Sequence, residues 1–204
     1  MKPVRAFIAI ELSTETRHSI QQVVNGYNQS IPRGWVRWVG VVNLHLTLKF
    51  LGDVPVELLP DIYQHMDITA AGVTSFNGVA TGVGMFPSSQ KPRVIWLGLD
   101  AKQALSNLAG SLENELAKIN IMREEKPFSP HLTIGRVNRD LTDDQLSKLG
   151  AIILRSQPGV VGEVTVERIT LFRSDLRESG PIHTPLHQSA LGKCGQPEIH
   201  VKIQ

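Results

Sequence analysis

Apolar positions along the chain switch between two rhythms, short continuous runs and stripes spaced three and four residues apart. A run over residues 4–10 predicts a buried strand. Ser13 then offers an N-cap, and Ile20, Val23, Val24 and Tyr27 fall at helical spacing behind it, with Gly26 and Asn28 weakening the end of that helix. Residues 35–39 and 45–50 read as strands, and the Gly52-Asp53 turn leads into a second helix marked by Leu59, Ile62, Tyr63 and Met66. Pro60 is tolerable there only in the first turn. Residues 74–83 read as extended.

The same order then recurs. Residues 94–99 are an apolar run, and Asp100 is placed to cap a helix whose Leu105, Leu108, Ala109, Leu112, Leu116 and Ile119 make one stripe. Residues 131–136 form a strand entered through Pro130, Thr142 and Gln145 have capping-box spacing before Leu146 and Leu149, and residues 164–172 are extended. Ile10 and Leu99 lie 89 residues apart, His45 and His131 lie 86 apart, and so do Glu57 and Asp143. The chain therefore reads as one α+β domain over residues 1–204, built from two similar units of about 1–89 and 90–175 with a tail of 176–204.

Composition removes several classes without naming an activity. A chain that is 41% hydrophobic with a net charge of +2 is globular rather than disordered. Its one cysteine, Cys194, has no partner for an internal disulfide and no His or Asp placed as in a catalytic triad. No apolar run approaches the roughly 18 residues of a membrane span, and residues 6–10 are too short for a secretory core of about 7–15 residues. The expectation is a soluble, cytoplasmic monomer. The mild basicity permits RNA but lacks the footprint of a duplex-DNA binder.

The chemistry lies in a repeated tetrapeptide. His45-Leu46-Thr47-Leu48 and His131-Leu132-Thr133-Ile134 sit at equivalent places in the two units, where chance predicts about 0.06 such tetrapeptides in the chain. In a strand, His and Thr at i and i+2 share one face and the intervening apolar residues share the other. Two units paired about an approximate two-fold axis would set two imidazoles and two hydroxyls across one cleft. Such a site suits in-line displacement at phosphorus. One neutral imidazole takes a proton from the nucleophile, one imidazolium gives a proton to the leaving oxygen, and the hydroxyls donate to the non-bridging oxygens. The chemistry demands no metal and no cofactor, and symmetry does not say which His is acid and which is base.

The segments His45-Leu-Thr-Leu-Lys-Phe-Leu-Gly52 and Phe128-Ser-Pro-His-Leu-Thr-Ile-Gly-Arg136 resemble the two signature motifs of the 2H phosphoesterase superfamily. The closer resemblance is to the RNA 2′,3′-cyclic phosphodiesterases, also called 2′-5′ RNA ligases, and it covers about residues 4–191. It implies a bilobal pseudo-two-fold fold with antiparallel sheets lining a central cleft and helices outside. It implies metal-free hydrolysis of RNA 2′,3′-cyclic phosphate ends to 2′-phosphates, and in reverse the joining of RNA ends such as tRNA halves through a 2′-5′ linkage. By the family's assignment His45 is the proton donor and His131 the acceptor. A binding module without turnover, or a phosphodiesterase for another cyclic nucleotide or a 2′-5′ oligonucleotide, are the alternatives on the same scaffold.

Around the pair, Thr47, Thr133 and Arg136 are expected to hold the phosphate, although strand parity puts Arg136 and its counterpart Phe50 off the His face and makes Phe50 a core residue. Lys49 shares parity with His45 and is expected at the cleft rim or on the solvated surface. Arg33, Arg37, Lys91 and Arg93 could track an RNA backbone, with Trp35 or Trp38 as a stacking platform, although Trp38 reads rather as core. His183 stands where the family often has Tyr after a Gly-Pro pair. It either replaces that aromatic or is an ordinary surface residue. Gly82-Val-Gly84 lacks the third glycine of a dinucleotide fingerprint. Ile199, Val201 and Ile203 alternate like an edge strand.

Overall fold

Apolar runs fold here as central strands because both their faces are covered. The computed structural model describes residues 2–177 and 180–192. The first run becomes β1 (Val4–Glu11), and Ser13 caps α1 (Thr14–Ser30) by accepting from the Thr16 amide at 3.1 Å. This helix continues through Gly26 and Asn28, held by the burial of Ile20, Val24 and Tyr27. β2 (Val36–Trp38) and β3 (His45–Val54) follow, then α2 (Leu59–Ala71), with Pro60 in its first turn, and β4 (Phe76–Phe86). The second round supplies β5 (Val94–Asp100), α3 (Ala104–Ala117), β6 (His131–Val137), α4 (Asp143–Arg155), β7 (Val160–Val166), β8 (Arg168–Arg177) and β9 (Gly180–Ala190).

The protein is α+β, with its strands in one antiparallel sheet of order β7-β4-β5-β6-β3-β1-β8-β9 and β2 paired to β6. The two halves, β7-β4-β5-β6 and β3-β1-β8-β9, meet at Leu46 opposite Leu132. Beyond that point β2 takes over the edge of β6, pairing Arg37 with Arg136 and Trp38 with Gly135. β3 and β6 therefore diverge, and the cleft opens between them. Each half borrows from the other unit: β4 joins β5 and β6, whereas β8 and β9 join β1 and β3.

Four helices cover the outer face, with α2 against α3 and β9, α3 against β3, α1 against β7, and α4 against β4. Ile8, Ile10, Leu46, Ile95 and Leu97 from the sheet are fully buried with Ile20, Ile62, Met66, Leu105, Leu108, Leu112 and Leu116 from the helices. Each such side chain contributes about 1.5–3 kcal/mol by leaving water. No helix among the described residues is long and apolar enough to cross a membrane.

Three expectations need correction. Asp100 does not cap α3; its carboxylate accepts from the Lys102 amide at 2.9 Å, where the chain turns at φ +51°, and the helix starts later, at Ala104. Residues 164–172 are not one strand but the end of β7 and the start of β8, broken at Glu167. The stretch assigned to a tail contains the end of β8 and all of β9. That strand carries Pro181 and Pro185, which a sheet accepts on an edge, and β9 is an edge. Cys194, Ile199, Val201 and Ile203 lie outside the described residues.

Candidate active site

The two tetrapeptides open their strands as the period-two argument requires: Leu46, Leu48, Leu132 and Ile134 are buried, and His45, Thr47, His131 and Thr133 face the other way. Both His and both Thr line a single cleft of about 670 Å³. The rings are fixed alike. His45 Nδ1 donates to the Asn43 carbonyl at 2.8 Å, and His131 Nδ1 donates to the Ser129 carbonyl at 2.7 Å, in each case two residues back along the chain. A carbonyl only accepts, so both Nδ1 atoms carry hydrogen and each Nε2 is left to exchange a proton.

Each imidazole also leans on two aromatic rings from matching strands. His45 stacks on Phe7 at 4.8 Å and lies 6.5 Å from Phe172. His131 meets Phe86 edge-on at 5.2 Å and Trp96 at 6.4 Å. Trp96 lies over Gly84, where a Cβ would fall inside the indole, so that position admits only glycine.

Past the tetrapeptides, parity breaks in both strands. Along β1, Ile8 faces Lys49 but Ala9 faces Thr47, which leaves Leu48 as an extra residue. Along β5, Ile95 faces Gly135 but Trp96 faces Thr133, which leaves Ile134 as an extra residue. These bulges, 86 residues apart, reverse the faces that follow. Lys49, expected at the rim or on the surface, is instead 3% exposed and turned toward the helices, where its Nζ donates to Glu113 Oε1 at 2.8 Å and to the Met122 carbonyl at 2.8 Å. Phe50, expected in the core, is 63% exposed and lines the cleft. Arg136 is brought onto the His face by the same device.

Arg5, Arg37 and Ser174 complete the polar wall, and His183 and Trp38 also line it. Among the described lining residues none is Asp or Glu, and none of Arg5, Arg37 and Arg136 has a salt-bridge partner among the described residues. Arg33, Lys91, Arg93 and Trp35 do not line the cleft; Lys91 pairs with Asp143 at 3.0 Å. Trp38, read as core, packs on Tyr27 with one side and faces the cleft with the other. An added Cβ at Gly135 would sit 2.9 Å from its ring, so glycine there makes room for it. Arg5 and Ser174 were missed because both lie far from either tetrapeptide in sequence; β1 and β8 bring them in.

Burial pushes the His45 imidazole down to about 4; nearby His183 and Arg17 push the same way, and the Asn43 carbonyl pulls it back up. Burial lowers His183 as well. Among the described residues no three His, Cys, Asp or Glu side chains gather as a metal-binding group.

Residues 15–178 match the family described as the 2′-5′ RNA ligase superfamily. The chain belongs to that superfamily. Within it, the chain is 35% identical to an RNA 2′,3′-cyclic phosphodiesterase of Methanothermobacter thermautotrophicus, covering 90% of this chain and 96% of that protein. It is 35% identical to one of Thermotoga maritima, covering 91% and 94%. Among solved structures, apo E. coli LigT superposes with a TM-score of 0.74 at 28% identity, covering 94% of this chain and 99% of that one.

Proposed function

We infer that this superfamily member is an RNA 2′,3′-cyclic phosphodiesterase that opens the cyclic phosphate to a 2′-phosphate, with His45 and His131 as its acid–base pair. One observation carries this reading: two imidazoles with their Nδ1 atoms tied to backbone carbonyls offer two Nε2 atoms to one cleft whose described lining residues include no carboxylate. His131 Nε2 takes a proton from water as its oxygen attacks phosphorus. The bond from phosphorus to the 3′ oxygen breaks, and His45 Nε2–H protonates that oxygen. Thr47 and Thr133 donate to the non-bridging oxygens, whose charge grows in the transition state. Ligation of ends such as tRNA halves uses the same steps with a 5′-hydroxyl attacking in place of water: His131 takes the hydroxyl proton, His45 protonates the departing 3′ oxygen, and a 2′-5′ diester results. The two roles exchange only when that diester is cleaved back to the cyclic phosphate.

His45 is neutral in the free protein, so its donor proton arrives with the substrate, whose phosphate charge stabilises the imidazolium. Metal independence follows from the same wall, where imidazolium and guanidinium supply the positive charge a metal would otherwise bring.

RNA, rather than a free cyclic mononucleotide, suits the Arg37–Arg136 pair. These two are directly opposed across β2 and β6, both face the cleft, and like charges so placed repel unless an anion lies between them. The phosphodiester upstream of the cyclic end is such an anion, with Trp38 and Phe50 as surfaces for bases. All these groups come from one chain, which supports action as a monomer, and an RNA substrate suits a cytoplasmic enzyme.

The deciding assay offers an RNA oligonucleotide with a 2′,3′-cyclic phosphate end in the presence of EDTA. A 2′-phosphate product is expected. A 3′-phosphate product, or loss of turnover with EDTA, overturns the mechanism; binding without turnover leaves a binding module.

A further inference from the structure

The pseudo-two-fold arrangement supplies two similar histidines, yet a donor and an acceptor must differ. Their immediate surroundings are matched: Phe7 and Phe172 around His45 answer to Trp96 and Phe86 around His131, at sequence offsets of 89 and 86. One ring has no counterpart. His183, on β9, stands edge-on to His45 at 5.3 Å and 89°, and edge-on to Phe7 at 4.9 Å. It lies opposite Ser174 in the β8–β9 ladder, so both reach the cleft wall from the same edge. On the other half of the sheet, the matching ladder of β4 with β7 stops at Thr81 opposite Val160, well short of Phe86. Among the described residues, no third ring meets His131 as His183 meets His45.

His183 is held differently from the other two imidazoles. Its Nδ1 is buried and has no hydrogen-bond partner among the described residues, whereas theirs are tied to carbonyls. We propose that His183 is a positioning residue that acts through His45: its ring closes off one side of that imidazole from water and so sets the two histidines apart. The other groups facing His45 do not do this. Phe7 and Phe172 have equivalents at His131, and the charge acting from α1 is Arg17. The Glu11 carboxylate, in register with His45 across β1 and β3, is instead occupied by Thr170 Oγ1 at 3.0 Å and Gln188 Nε2 at 3.1 Å. A proton on His183 and one on His45 would repel across 5.3 Å, which disfavours charging both rings at once.

The consequence for catalysis rests on the two-histidine reading above; the effect on His45 itself does not. Imidazole resonances of His45 and His131 are followed by NMR against pH in the ligand-free wild type, His183→Ala and His183→Phe. β9 is an edge strand, so neither change disturbs an interior ladder. In His183→Ala the His45 midpoint is expected to rise by about one pH unit as water reaches the ring. In His183→Phe, which keeps the edge contact and removes only the repulsion from the second imidazole, it rises less than in His183→Ala. The pH–rate limb that belongs to His45 follows its midpoint. An unmoved His45 in His183→Ala, or an equal rise in both variants, overturns the assignment of His183. Failure of the wild type to turn over cyclic-phosphate RNA would instead count against the catalytic reading and leave the titration result standing.

Discussion

Phe50 and Arg136 stand at matching places in β3 and β6, each two residues past a bulged position, and both side chains reach the cleft. One half of the site thus offers an aromatic face where the other offers a guanidinium. Arg136 can grip a phosphate with two parallel N–H donors, which Lys cannot reproduce. Arg136→Lys and Arg136→Ala are both expected to lower kcat/KM on cyclic-phosphate RNA by about 10- to 100-fold, the worth of a charged hydrogen bond. Combining Arg136→Ala with Arg37→Ala should flatten the salt dependence of kcat/KM by about 0.7 per lost phosphate contact. An unchanged slope would remove both residues from the RNA path.

His45→Ala and His131→Ala should each cut turnover by about 10²–10⁴-fold or more while leaving the fold intact. Neither side chain is part of the buried core, so circular dichroism and melting should change little. A bell-shaped pH–rate profile should lose a different limb in each variant, which assigns donor and acceptor directly. Binding of a nucleoside 2′-phosphate to the wild type should also take up a proton and tighten as pH falls below 7, because the anion raises the His45 imidazole from about 4. His45→Ala should abolish that uptake. Calorimetry in buffers of different ionisation enthalpy measures it.

The tetrapeptides were legible because Leu46, Thr47, Leu132 and Thr133 precede the bulges and keep period two. Lys49 and Phe50 follow a bulge and so lie on the faces opposite to those parity predicts, and Arg136, expected at the phosphate, reaches the cleft against its parity for the same reason. Nothing in the alternation of Leu48 and Lys49 marks an inserted residue, and only Gly135 hinted that a second ring, Trp38, had to fit close to the backbone. β9 was hidden by Pro181 and Pro185, which argue against a strand unless its edge position is already known. The contact of His183 with His45 joins residues 138 apart through β1 and β8, a relation carried by sheet order and not by local pattern.

Folding stability should fall as the solution is acidified through the range between the ordinary imidazole value of 6.5 and about 4. In that window the unfolded chain protonates His45 while the folded chain does not, so protons favour unfolding. The contribution is fully present above the ordinary value and is lost as pH drops toward the folded one. Its size is on the order of 3 kcal/mol at one pH unit per 1.36 kcal/mol, and His183, lowered by burial, adds in the same direction. Urea midpoints at about pH 7 and pH 4.5 should differ less in His45→Asn than in the wild type. Equal differences would mean that His45 does not carry this dependence.

Buried Lys49 and half-buried Glu113 form a pair that ties the bulge of β3 to α3 and to the chain beyond it, through the Met122 carbonyl at 2.8 Å and the Glu124 amide, which donates to Glu113 Oε2 at 3.3 Å. Lys49→Met should destabilise by about 3–5 kcal/mol, since Glu113 then keeps a partly buried charge without its cation. Lys49→Met with Glu113→Leu should recover much of that loss, because a paired deletion leaves no lone charge. The same single variant should loosen the bulge, and Phe50 with it, so KM on RNA should rise while the pH–rate limbs stay in place. Denaturation of the two single variants and the double variant separates the terms. Additive losses would show that the pair does not act as a unit.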